Sequence, residues 1–146
     1  MDSLQETFSS TPQVRKSFAV YSKQLMKRIV KTGLLWILAL FFVVAGINHF
    51  LSPPFYLKMM PPYIPWHEAM VQISGVAEIA LGLLALYPRT RRLAGWGLIA
   101  LLVAVFPANL YMYQNPSLFP NVPALTLLIR LPIQGVLIAW AWWVTD

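Results

Sequence analysis

Residues 48–68, NHFLSPPFYLKMMPPYIPWHE, lie between two long apolar runs and determine how the rest of the chain is arranged. The segment contains five prolines, two histidines and five aromatic residues. A hydrophilic connection would instead be rich in glycine, serine and aspartate. An apolar, stiff and nearly uncharged segment predicts a connection that folds back into the membrane interface or caps a helical bundle.

The composition is that of a membrane protein. The 146 residues have room for one domain, 58% of them are apolar, and their mean hydropathy is +0.62. Four apolar runs are each long enough to cross a hydrocarbon core of about 30 Å, which takes roughly 20 helical residues. The sequence therefore predicts an all-α, four-helix transmembrane bundle with a Pro-rich outer segment between its first two helices. It contains no cysteine, which excludes thiol chemistry and Cys-ligated metal clusters.

The expected spans are residues 33–50, 66–87, 93–113 and 124–144. A signal peptide is the alternative for the first run, because basic residues precede it. That run is long for a signal peptide and leads into INHFLSPP rather than a small-residue cleavage site, so we expect it to be retained. In the second span, Gly75 and Gly82 predict a face that a neighbouring helix approaches closely.

Residues 1–31 are expected to form a tail and a basic amphipathic segment, separate from a four-span domain of residues 32–146. Apolar residues recur in this segment every three or four positions, at Val14, Phe18, Tyr21, Leu25 and Ile29. The pattern predicts an interfacial helix on the membrane surface, and a basic flank that only sets topology is the alternative. Much of the basic charge precedes the first span, which favours anionic lipid as a partner and argues against nucleic acid.

Lysine and arginine are distributed unevenly among the connections. Six precede the first span and three lie in residues 88–92, whereas residues 51–66 contain only Lys58 and residues 114–123 contain none. By the positive-inside rule, both termini are cytoplasmic. We therefore expect a multi-pass protein of a bacterial-type inner or plasma membrane.

Polar side chains recur in the outer half of the four predicted spans. From the helical rise, Glu78 lies about 16 Å below the outer surface and Arg130 about 10 Å below it. An unpaired charge near the bilayer centre costs at least about 2.5–3.5 kcal/mol. We therefore expect Glu78 to pair with Arg130, flanked by Asn109, Gln134 and His49. The pair indicates either an ionic contact that holds the second and fourth helices together or a polar pocket covered by the Pro-rich segment.

Aromatic and methionine side chains of the Pro-rich segment predict a flat, adaptable apolar surface for a hydrophobic ligand or a partner subunit. Aromatic residues at this level are equally common in interfacial belts. His49 is suited to bind a quinone carbonyl or to relay a proton. The expected ligand-binding residues are His49, Tyr56, Met60, Tyr63, His67, Glu78, Asn109, Arg130 and Gln134.

Metal binding and soluble-enzyme chemistry have little support in the sequence. The spacing of His49, His67 and Glu68 matches no metal motif, so we expect no metal. A Gly-rich phosphate loop, H-E-x-x-H and G-x-S-x-G are all absent. Whether the protein is an enzyme, and which residues would be catalytic, is left open.

Four stretches together resemble the DoxX-like small membrane proteins: AGINHFLSPPFYLKMMPPYIPWHE, SGVAEIALGLLAL, PRTRRLAGWGLIALL and VFPANLYM. The resemblance covers about residues 33–143. Its most specific parts are HF-x2-P, MMPPYIP-x-H and E-x3-G, and residues 1–31 depart from the family pattern. By motif, the resemblance implies that the positions to test are His49, Pro53, Pro61, Pro62, His67, Glu78 and Asn109.

The resemblance also implies a function. The founding DoxX members are named for a subunit of an archaeal thiosulfate:quinone oxidoreductase, and relatives are linked to redox homeostasis or act as accessory and assembly factors. We therefore expect a redox-associated membrane subunit that binds a quinone or another flat apolar ligand. The alternative is a non-catalytic accessory or assembly subunit that contacts another membrane protein or forms a homo-oligomer.

Overall fold

The computed structural model describes residues 12–146, which are predominantly helical and contain no strand. The helices in chain order are α1 (Pro12–Leu51), α2 (Pro53–Met59), α3 (His67–Leu86), α4 (Arg91–Gln114) and α5 (Ala124–Thr145). A short 3-10 helix, Pro116–Leu118, lies between α4 and α5. Helices α1, α3, α4 and α5 are each long and apolar enough to cross a membrane. The predicted all-α fold with four membrane-length helices is confirmed.

The chain divides into two units, residues 1–34 and residues 35–146. The predicted spans agree with the helices to within about two residues, apart from the start of α1, which begins at Pro12 rather than near residue 33. Residues 13–32 contain no glycine or proline, so nothing in them ends a helix. In the first unit, residues 13–34 are helical and mostly exposed. Most of the predicted tail, residues 1–11, lies outside the described residues.

Helices α1 and α3 approach each other closely at glycine. A Cβ atom at Gly46 would lie 2.6 Å from the carbonyl oxygen of Gly75, and one at Gly82 would lie 3.0 Å from that of Ala39. Backbone atoms cannot move aside as a flexible side chain can, so a methyl group at these positions would force the helices apart. The predicted small-residue face of α3 therefore exists, and α1 of the same chain covers it.

The Pro-rich segment packs over one end of the bundle. The Ser52 N–H donates to the Asn48 carbonyl at 3.0 Å, and two prolines then begin α2, where a helix does not need their missing N–H groups. Met59 of α2 is buried in a cluster with Met112, Phe119 and Leu127. These partners come from α4, the connection after it and α5, so the prediction that the segment caps a helical bundle is confirmed.

Trp66 makes the turn from this segment into α3. Its backbone is left-handed, with φ 55° and ψ 48°, and it is the only non-glycine residue with positive φ among residues 12–146. This conformation costs a non-glycine residue roughly 1–2 kcal/mol. The Trp66 side chain is 76% exposed, so it does not recover that cost by packing inside the protein.

Candidate functional site

Residues 35–146 form a partly open cavity of about 190 Å³ to which all five helices contribute. Its apolar walls include Phe41, Phe42, Ala45, Met59, Met60, Val71, Leu102, Val105, Ala108 and Leu137. The polar side chains that line it are His49, Tyr56, Ser74, Glu78, Asn109 and Arg130. The cavity thus combines an apolar enclosure with a few convergent polar groups, which is the usual composition of a small-molecule site.

His49 is held in a defined orientation by the contact between α1 and α3. Its Nδ1 lies 2.9 Å from the carbonyl oxygen of Val71, and its ring stacks on Tyr56 with the ring centres 3.8 Å apart. A Cβ atom at Gly75 would lie 2.8 Å from the His49 Cβ. The absence of a side chain at Gly75 therefore allows the imidazole to reach the Val71 carbonyl.

The Glu78 carboxylate lies beside the imidazole of His49 and does not pair with Arg130. The Glu78 Oε2 atom lies 3.7 Å from His49 Nε2, which is too long for a hydrogen bond. Oε2 is buried, and within residues 12–146 no side-chain or backbone group forms a hydrogen bond to it. Within the same residues Glu78 and Arg130 form no salt bridge, so the predicted direct pair is wrong. Both side chains nevertheless line the one cavity.

A chain of hydrogen bonds holds Arg130 and explains why it does not pair with Glu78. The Nε atom of Arg130 donates to Asn109 Oδ1 at 3.3 Å, and Asn109 Nδ2 donates to Gln134 Oε1 at 3.2 Å. Gln134 Nε2 in turn donates to the backbone carbonyl of Leu102. Each amide donates once and accepts once, so the chain runs in one direction from a cation to a carbonyl. It ties the guanidinium to α4 instead of to the carboxylate on α3.

Tyr56 lines the same cavity. Its hydroxyl oxygen accepts a hydrogen bond from Asn48 Nδ2 at 3.0 Å. Burial raises the pKa of the Tyr56 phenol above its ordinary value, and the Asn48 hydrogen bond offsets part of that rise. The phenol therefore stays protonated near neutral pH, and its own O–H remains a donor.

The structure brings together most of the predicted site residues, but not all of them. Those that line the cavity are His49, Tyr56, Met60, Glu78, Asn109 and Arg130. Gln134 is buried and joins them through Asn109. Tyr63 is 75% exposed and lies outside the cavity. His67 bonds through Nε2 to the Pro61 carbonyl at 3.1 Å and lines a separate, open groove of about 480 Å³ with Trp66.

Residues 38–145 match the family described as Domain of unknown function (DUF8561). This range covers well over half of the chain and includes every residue that lines the cavity. The chain belongs to the DUF8561 family. Comparisons with curated proteins and with solved structures give no match.

Two contributors to the site in this DUF8561 chain were not predicted from the sequence. Asn48 positions Tyr56, and the Val71 carbonyl positions His49. The short spacing across a Ser-Pro-Pro turn was a usable signal for the Asn48–Tyr56 contact, because such a turn brings residues on either side of it together. The Val71 contact has no sequence signal, since it depends on a backbone atom and on how closely two helices approach.

Proposed function

We propose that this protein is an integral membrane protein whose cavity binds a single-ring, partly apolar ligand, with a quinone head group as the best candidate. In this proposal it acts as a redox-associated subunit, as its resemblance to DoxX-like proteins implies. The observation that carries the proposal is the buried Glu78 Oε2, an acceptor without a hydrogen-bond partner among residues 12–146, beside the imidazole of His49 in a mostly apolar cavity.

The size of the cavity supports a small ligand. Its volume of about 190 Å³ is below the roughly 300–1,000 Å³ that is usual for drug-sized ligands. One substituted six-membered ring suits such a space, and a long hydrocarbon tail would have to leave it for the surrounding lipid.

The chemistry of the walls supports a ligand with polar groups on an apolar ring. Phe42, Met60 and Val105 offer contact to the ring, and methionine adapts to its outline. The Tyr56 hydroxyl and the Arg130 guanidinium are donors for a ligand oxygen. His49 and Glu78 supply acceptors on the same cavity.

Calorimetric titration of the detergent-purified protein with duroquinone, a tetramethylated benzoquinone, and with its reduced hydroquinone tests the proposal. Ala45→Leu places a larger side chain in the cavity, and Ala80→Leu makes the same change at an exposed position of α3. We expect saturable binding of at least one compound to the wild type and to Ala80→Leu, and its loss in Ala45→Leu. The proposal fails if neither compound binds saturably to the wild type or if Ala45→Leu binds as the wild type does.

The second candidate function is a non-catalytic accessory or assembly subunit, and the exposure of Tyr63 and Trp66 favours it. These two side chains offer aromatic contact area to another membrane protein, whereas α1 already covers the glycine face of α3. Purification in mild detergent would recover a stoichiometric partner, and Tyr63→Ala with Trp66→Ala would release it. A monomer free of other proteins would count against this function.

We also propose that both termini are cytoplasmic, in a bacterial-type inner or plasma membrane. The lysines and arginines before residue 33 and at residues 89–92 support this orientation, since cytoplasmic connections carry the excess of positive charge. The connections that contain Lys58 and Ser117 would then face the outer side.

A further inference from the structure

The proton on His49 can be assigned from its surroundings. A backbone carbonyl oxygen only accepts hydrogen bonds, and Nδ1 lies 2.9 Å from that of Val71. Nδ1 therefore carries a hydrogen and donates it. In the neutral imidazole, Nε2 is then an acceptor, and it is this atom that lies 3.7 Å from Glu78 Oε2.

One charge state of the cavity is neutral overall, with Glu78 ionised, His49 neutral and Arg130 positive. Arg130 lines the cavity and carries a permanent positive charge. With Glu78 ionised and His49 neutral, the charges of the three groups sum to zero. Protonating either Glu78 or His49 leaves a net positive charge in a mainly apolar cavity. An uncompensated charge in such surroundings is unfavourable.

The neutral combination leaves two acceptors converging without a donor between them. Glu78 Oε2 is buried and has no hydrogen-bond partner within residues 12–146, and the nearby Nε2 offers only a lone pair. A donor group supplied by a ligand would satisfy both atoms, whereas another acceptor would be repelled by both. In this charge state, the two acceptors match an O–H group of a ligand.

We infer that the ligand of this cavity carries a ring hydroxyl that donates to His49 Nε2 and Glu78 Oε2, so that the site prefers a phenol or hydroquinone to the corresponding quinone or ether. This inference rests on the proposed function and specifies which form of a single-ring ligand the cavity holds. It follows that the reduced, hydroxyl-bearing member of a quinone pair is the bound form.

The test compares three compounds that share one ring: durohydroquinone, its dimethyl ether and duroquinone, each titrated calorimetrically under anaerobic conditions. The ether and the quinone lack the O–H donor. We expect durohydroquinone to bind the wild type about ten- to a hundredfold more tightly than either, the usual difference for a hydrogen bond to a charged group. In Glu78→Gln, whose amide both donates and accepts, this preference should shrink several-fold.

His49→Asn provides a second variant in case Glu78→Gln does not fold. The asparagine amide keeps a donor for the Val71 carbonyl and removes the Nε2 acceptor, so the preference for durohydroquinone should fall again. Equal binding of the three compounds, tighter binding of duroquinone, or an unchanged preference in the variants would overturn the inference and leave the proposed function standing. Absence of saturable binding by all three would overturn both.

Discussion

His49 and Glu78 belong to different helices, and their facing atoms, Nε2 and Oε2, lie 3.7 Å apart beside a cavity lined mainly by apolar side chains. The other imidazole nitrogen is bound to the Val71 carbonyl, so the ring cannot turn towards the carboxylate without losing that bond. The position of the imidazole is therefore fixed by the crossing of α1 and α3, whereas Glu78 Oε2 has no hydrogen bond within residues 12–146.

Gly75→Ala should disrupt this crossing. The added Cβ would lie 2.8 Å from His49 Cβ and 3.0 Å from the Gly46 carbonyl oxygen. We expect a loss of about 1–3 kcal/mol in stability, the usual effect of overpacking, together with loss of ligand binding. Thermal unfolding in detergent and calorimetry measure the two effects.

Gly135→Ala is the matched control for that substitution. A Cβ at this position in α5 meets nothing within 4 Å, so it should leave stability unchanged or raise it by about 0.5–1 kcal/mol through helix propensity. If Gly75→Ala proved as stable as Gly135→Ala, the close approach of α1 and α3 would be wrong.

Removing the charge of Arg130 should be less harmful when the charge of Glu78 is removed with it. Arg130→Gln leaves Glu78 as an uncompensated buried charge, whereas Arg130→Gln with Glu78→Gln leaves the cavity neutral. We expect the double variant to be more stable than the sum of the two single effects by at least about 1 kcal/mol. Denaturation of all four proteins in one detergent completes the cycle, and simple additivity would show that the two charges do not compensate each other.

Asn109→Ala should weaken the hydrogen-bond chain at its centre. It removes the acceptor of Arg130 Nε and the donor to Gln134 Oε1 together. A buried polar group without a partner costs about 1–3 kcal/mol, so unfolding should require clearly less denaturant than in the wild type. Asn115→Ala is a suitable comparison, because its side chain bonds only to the backbone of its own helix end. Equal losses in the two variants would indicate that the chain contributes nothing specific.

Tyr56 should make the protein sensitive to alkaline pH. Burial raises the pKa of its phenol in the folded state, so the folded protein holds this proton more tightly than the unfolded chain does. The stabilisation is complete below the unfolded pKa of about 10 and is lost as the pH rises through the higher folded value. Wild-type stability should therefore fall more steeply above that pH than the stability of Tyr56→Phe. Parallel pH profiles for the two proteins would contradict the burial of the phenol.

The proposed orientation can be tested with single introduced cysteines, because the natural sequence has none. Ser117→Cys should react with a membrane-impermeant maleimide from outside intact cells. Asp146→Cys should react only after the membrane is opened. Labelling in the opposite order would reverse the orientation, and the unsubstituted protein reports any background.

The helices were predictable because their apolar runs are long and are separated by proline, charge or polar loops. The grouping of Glu78, Asn109 and Arg130 around one cavity also followed from the sequence, since the helical rise places them at similar depths. The side chain that lies beside Glu78 could not be predicted from the sequence, because it depends on the rotation of each helix and on the approach of Gly46 to Gly75. The exclusion of Tyr63 and His67 could not be predicted either, because no residue pattern indicates the left-handed backbone of Trp66 or the contact of His67 with the Pro61 carbonyl.

Trp66 occupies a backbone conformation that glycine would adopt without strain, and yet its indole contacts little of the protein. In the proposed membrane arrangement, the ring would sit among lipid head groups, where tryptophan is favoured. It would then fix the depth at which α3 begins in the membrane. Glu78, twelve residues further along, would be immersed by about 18 Å along the helix axis. Replacing the indole by a smaller group would allow α3 to shift along the membrane normal. The distance of the Glu78 carboxyl group from water would then change.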